Sequence, residues 1–141
     1  MTQFYNEAVI DSIVWIGAKS KRDEYKKHCR EIIGYFLDGY IKKVYITDYI
    51  LVETISFLLK KEGFAEAQQA LQLFLNSGSI EIVYVDELML QDIKAVFERY
   101  KRLSLTDCSI VCLMQEKGIK TLFSLDSGFD VVKGIVRMNT V

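Results

Sequence analysis

Four acids stand where a folding chain gains little from negative charge. Asp11 closes the apolar run Ala8-Val9-Ile10, and Asp126 closes another in TLFSLD. Asp107 enters RLSLTDCSIVCLM, a segment with almost no polar face beyond its first residues. Glu53 lies inside YILVETISFLLKK, among Ile50, Leu51, Val52 and Ile55. Three of the four have local explanations. Asp11 can cap a helical segment beginning at Ser12. Asp107 can complement its helix's N-terminal dipole, with Thr106 or Ser104 as cap. Asp126 can open the turn Asp126-Ser127-Gly128. Glu53 is neither cap nor turn. A helix that is apolar all round is expected to be largely buried, and an ionised carboxylate buried without a partner is costly. Lys60 and Lys61 lie too far along the helix to pair with it.

Brought together, these groups have a definite chemistry. Like charges about 4 Å apart repel by roughly 4 kcal/mol at an effective dielectric of about 20. Protonation or a bound cation relieves that repulsion. Oxygen-only donors select Mg²⁺ or Mn²⁺ over zinc. Mg²⁺ keeps waters and accepts phosphate oxygens as co-ligands, so the expected chemistry is metal-assisted attack of water on a phosphodiester.

Positioning four remote acids requires a particular frame. Short apolar runs at Ala8–Ile10, Val44–Thr47, Ile80–Val85, Thr121–Leu125 and Gly134–Met138 predict five strands. Helices are expected at Ser12–Ala18, Lys21–Leu37, Tyr49–Lys61 with Asp48 as cap, Phe64–Asn76, Glu87–Tyr100 capped by Asp86, and from the Asp107 segment to Gly118. Strands alternating with helices predict a three-layer α/β/α sandwich with a mainly parallel sheet, in a single domain over 1–141. In open parallel sheets, ligand sites gather beyond the carboxyl ends of the strands. Asp11 and Asp126 both fall there.

Composition narrows the function classes. The chain has 141 residues, half apolar, and a net charge of −1. Such a chain has no global basic field for indiscriminate nucleic-acid binding. Three cysteines in no disulfide spacing point to a reduced, cytoplasmic protein. Cys108 and Cys112 read as core, and His28 beside Cys29 has no further Cys/His pair to build a zinc shell. The first residues lack a signal-peptide pattern, and no apolar stretch is long enough for a membrane span.

VIDSIVWI, ILVETISFL, LSLTDCSIVCLMQEKGI and TLFSLDSGF, in this order and covering essentially the whole chain, resemble a PIN domain. They resemble especially the small single-domain type found as VapC toxins of VapBC toxin–antitoxin modules. The resemblance implies that Asp11, Glu53, Asp107 and Asp126 are the catalytic acids and hold one or two Mg²⁺ or Mn²⁺ ions. It places Ser12 and Ser124 beside them, as holders of water or orienters of carboxylates. It further implies a metal-dependent endoribonuclease leaving 5′-phosphate products, an RNA substrate, a cognate antitoxin and a homodimer. The Tyr- and Phe-rich helices (Tyr35, Phe36, Tyr40, Tyr49, Phe57) carry apolar groups that such partners could cover. One departure is Gly128, where many relatives have another acid; Asp130 nearby reads first as a turn residue, with substitution for that acid as its other role. Two rival readings stand beside this one. A degenerate PIN-like module could bind RNA or protein without cutting. A phosphoacceptor domain could use Asp86, but TLFSLDSGF lacks the lysine that scheme requires.

Overall fold

Ala8, Val9 and Ile10 are consecutive and fully buried, as are Val44 and Ile46 with Tyr45 between them nearly so. Successive side chains of a strand point to opposite faces, so burial without alternation means both faces are covered. The computed structural model, which describes residues 3–21 and 26–141, has that arrangement. Its elements are β1 (Tyr5–Ile10), α1 (Ser12–Lys19), α2 (Lys26–Leu37), β2 (Ile41–Thr47), α3 (Asp48–Lys61), α4 (Phe64–Asn76), β3 (Ile80–Val83), α5 (Glu87–Tyr100), α6 (Leu105–Lys117), β4 (Thr121–Phe123), a 3-10 helix (Ser127–Val131) and β5 (Val136–Met138).

The sheet order is β3-β2-β1-β4-β5, with every pairing parallel. Helices cover both faces, giving the expected α/β/α sandwich. β1 is central. Ile10 sits beside Phe123 of β4, so Asp11 and Ser124 leave the sheet side by side. Trp15 secures this end: its indole N–H donates to Ile10 O at 3.0 Å, and its ring meets Phe36 and Phe74 edge-on. Every residue of α6 from Cys108 to Met114 is buried, including both cysteines.

Several expectations need correction. Of the helix predicted from Lys21, the structure describes Lys26–Leu37; its expected residues 22–25 lie outside the described residues. Thr47, not Asp48, caps α3, its side chain accepting from Ile50 N at 3.2 Å. Asp48 instead accepts from Val85 N at 2.8 Å, drawing residues 84 and 85 out of the strand. β4 likewise stops at Phe123 instead of Leu125. The larger correction concerns α3, which is not largely buried. Ile50, Thr54 and Leu58 form one inward stripe at four-residue spacing, while Val52 is 59% exposed, Leu59 53% and Phe57 44%. The helix rests on α1 and α4 along that stripe, Tyr49, Leu51 and Ile55 pack against the core at its flanks, and Val52, Phe57 and Leu59 face outward. Of the aromatic set expected to seek partners, Phe36 is core; Tyr35, Tyr40 and Tyr49 are half-buried.

Candidate active site

The carboxyl ends of β1 and β4 present Asp11 and Ser124 as neighbours. Asp11 is 4% exposed. It caps α1, its Oδ1 accepting from Ser12 N at 2.7 Å, while its Oδ2 accepts from Ser124 Oγ at 2.8 Å. Ser124 Oγ also accepts from Asp126 N at 3.0 Å. On the other side, Ser12 Oγ donates to Glu53 Oε1 at 2.5 Å. A continuous chain of polar contacts therefore runs Glu53–Ser12–Asp11–Ser124–Asp126. The two serines orient carboxylates.

Asp107 joins from α6. Its Oδ2 accepts from Ser104 N at 3.1 Å while its own N–H donates to Ser104 Oγ at 3.1 Å, a reciprocal capping box. Asp126 accepts from Gly128 N at 2.8 Å through Oδ1. The local explanations for three acids thus hold, and they serve the site. In Asp107 and Asp126 the cap or turn fixes one oxygen and leaves the second open, while Asp11 has both oxygens engaged. Asp107 Oδ1, Asp126 Oδ2 and Glu53 Oε2 accept no hydrogen bond among the described residues.

The four acids also act on one another electrically. Burial, then the charges of Asp107 and Glu53, push the Asp11 carboxyl up to about 7, against hydrogen bonds from Ser124 and Ser12 that favour its ionised form. Asp107 is raised by burial and by the charges of Asp126 and Glu53, with the Ser104 cap opposing. Among the described residues no basic side chain forms an ion pair with any of the four. The ion pairs present engage Glu66, Glu81, Glu98 and Asp130.

Two site expectations change. Glu53 is exposed, so the cost of burying it is not what makes it unusual; its contact with Ser12 is. Asp130, the substitute acid, is held in a fork by Arg137 (Nε–Oδ1 2.8 Å, Nη2–Oδ2 3.1 Å), and the guanidinium draws its carboxyl below the usual range. Arg137 also donates to Ser124 O at 3.2 Å. It therefore ties both ends of the segment carrying Asp126, and no spacing pattern in the sequence singles it out. A side chain at Gly128 would put its Cβ 3.0 Å from Asp126 Oδ1, so this turn fits its glycine closely.

The family model of the PIN domain matches residues 8–135, spanning all four acids. The chain belongs to the PIN domain family. This PIN domain is 28% identical over 127 residues to a VapC ribonuclease of Archaeoglobus fulgidus, across 88% of this chain and 80% of that one. Its fold resembles that of Mycobacterium tuberculosis VapC20, a sarcin-ricin loop cleaving toxin, with a TM-score of 0.72 and 18% identity over 89% of this chain and 95% of that chain. It also resembles a chain from a Klebsiella pneumoniae toxin–antitoxin complex, with a TM-score of 0.68 and 18% identity over 95% and 99% of the two chains. Among the described residues, no helix is long and apolar enough to cross a membrane.

The donor set is oxygen-only, partly buried and, among the described residues, without an ion-pairing basic side chain, which suits a hard divalent ion. Among the described residues, no three acids are drawn close enough to count as a finished cage. Mutual repulsion favours that spread, and Mg²⁺ needs only one or two direct carboxylates because it retains its waters.

Proposed function

We propose that this PIN domain is a Mg²⁺- or Mn²⁺-dependent endoribonuclease of the VapC type, acting on RNA in the cytoplasm and neutralised by an antitoxin. The observation carrying this reading is a group of four carboxylates, three linked through Ser12 and Ser124 and the fourth, Asp107, held by its capping box and coupled to them by charge, with no ion pair among the described residues to any of them. Asp11, Glu53, Asp107 and Asp126 would hold the metal. When bound, it supplies Lewis acidity at the phosphoryl group and lowers the pKa of water. The residues of the chain do the rest. Ser124 and the Ser12 backbone hold Asp11 in its ionised orientation. Ser12 Oγ fixes the Glu53 carboxylate. The α6 N-terminus favours the ionised form of Asp107. Arg137 fixes the turn that presents Asp126.

The partner part of the reading rests on the toxin–antitoxin likeness and on apolar surface. A groove of about 280 Å³ between α1, α2 and α4, lined by Trp15, Ile33, Leu37 and Leu73, can take an apolar segment of an antitoxin. A homodimer would cover part of the exposed set on α3 and α5, which includes Phe57, Leu88 and Phe97. Sedimentation of the purified chain tests that part.

The test of function is cleavage of structured and unstructured RNA with Mn²⁺, with EDTA, and by Asp107→Asn. Cutting that needs Mn²⁺ and is lost in the variant supports the proposal. Cutting that persists in excess EDTA overturns it. The open spacing of the carboxylates favours one second reading, a PIN module that binds without cutting; for that module Mn²⁺ leaves thermal stability unchanged.

A further inference from the structure

A cavity of about 440 Å³ is lined by Ile13, His28, Leu125, Arg137, Asn139 and Thr140, of which Ile13, Leu125 and Arg137 are next in sequence or hydrogen-bonded to residues of the acid site. Its volume lies within the range of about 300–1,000 Å³ typical of small-molecule sites. Its position is set by the catalytic frame. Ile13 follows Ser12, and Leu125 lies between Ser124 and Asp126. Arg137 in its wall also holds the Ser124 carbonyl, so the cavity adjoins the segment that carries Ser124 and Asp126.

The lining matches one nucleotide of a single strand. Ile13, 40% exposed, and half-buried Leu125 offer apolar surface to the face of a base. The Asn139 amide offers both a donor and an acceptor to a base edge. The side chains of His28, Asn139 and Thr140 are exposed and make no hydrogen bond among the described residues, so they are free to bind. Arg137 commits three N–H groups, Nε and one each from Nη1 and Nη2, to Asp130 and Ser124. Its guanidinium has five, so two remain on a group already fixed in place, suited to a phosphate oxygen.

We infer that this cavity is a base-binding subsite: it seats the nucleobase of an unpaired nucleotide next to the cut phosphate, with Asn139 reading its edge, Ile13 and Leu125 packing its face, and Arg137 meeting the adjoining phosphate. This assignment rests on the ribonuclease reading for its position, and it names what that site selects. Duplex RNA is disfavoured, because pairing occupies a base's Watson–Crick edge and stacking covers the faces that Ile13 and Leu125 would pack.

Two measurements test it. The first needs no catalysis: the four nucleoside 5′-monophosphates and a short labelled single-stranded RNA are titrated in EDTA, followed by backbone amide shifts and fluorescence anisotropy. Shifts are expected at Ile13, Leu125 and Asn139, with single-stranded RNA bound more tightly than duplex. Loss of one base-edge contact in Asn139→Ala should weaken the RNA about fivefold, and Ile13→Ala should weaken it similarly. The second measurement maps cut sites in a randomised RNA with Mn²⁺. Both variants should lose base preference at one position beside the cut. Both residues are exposed, so folding is not at stake. Unchanged affinity and base preference in both variants overturns the inference. So does a loss confined to binding of an antitoxin peptide. If the wild type fails to cut RNA but the monophosphates still shift these amides, the ribonuclease reading falls and the nucleotide site stands.

Discussion

The β2–β3 edge and the carboxyl end of β1 treat their acids in opposite ways. At the edge, Glu81 lies between Lys43 at 3.2 Å and Lys117 at 3.6 Å, and both ammonium groups ride over the Tyr45 ring. At the carboxyl end, Asp11, Glu53, Asp107 and Asp126 share a small region with no ion pair among the described residues. The chain has cations and uses them elsewhere. An acid cluster left unbalanced, with Asp11 held nearly out of water, lowers stability unless something arrives to compensate it. The contrast recurs within one turn: Asp130 is forked by Arg137, while Asp126, four residues earlier, keeps an open oxygen.

The contrast breaks most sharply at the unbalanced end. Asp11→Asn and Asp107→Asn keep the shape of the side chain and remove a charge. Each is expected to lower RNA cleavage at least about a hundredfold, because loss of a direct ligand should exceed the effect of losing an outer contact. Circular dichroism should be unchanged. A variant that retains wild-type rates would dissolve the distinction between the two regions.

The next effect is on stability and has the opposite sign. With its carboxyl pushed to about 7 from the ordinary 3.8, Asp11 keeps a proton in the folded state that the unfolded chain has already released. Between those values the folded state binds more protons, so stability falls as pH rises, and the full penalty stands above about pH 7. In metal-free protein, Asp11→Asn should therefore be more stable than wild type by an order of a few kcal/mol at about pH 8. The two should converge by about pH 4. Urea unfolding across that range checks both ends.

Smaller effects sharpen the comparison. Arg137→Ala frees Asp130 and the Ser124 carbonyl, so the turn bearing Asp126 loosens. Cleavage should fall about tenfold, as for the loss of a contact that orients a ligand. Arg137→Lys should not restore it, because one ammonium cannot reproduce the fork. At the balanced edge, Glu81→Gln should leave cleavage unchanged and move Tm by no more than about two degrees, since exposed pairs contribute little.

Much of this was legible in the sequence because it depends on local pattern. Ala8-Val9-Ile10 and the apolar run of α6 could only be a two-sided strand and a buried helix. Asp86 and Ser104 stood at recognisable caps. Glu53 was found for a reason that failed. Its neighbours Val52 and Phe57 are as apolar as expected, yet they face outward, because sequence periodicity cannot tell which stripe of an all-apolar helix meets a neighbour. What made Glu53 significant was Ser12 at 2.5 Å, a contact between residues 41 positions apart. Arg137 was invisible for the same reason: its partners, Ser124 and Asp130, meet it only once β4 and β5 pair.

The unbalanced acids make their plainest demand on a cation, so the most direct test is a Mn²⁺ titration of the purified protein, with free ion followed by electron paramagnetic resonance, run beside Asp11→Asn. Saturable uptake by the wild type, weakened at least about tenfold in the variant, is the predicted result. Uptake that is absent from the wild type, or identical in the two proteins, would contradict the account.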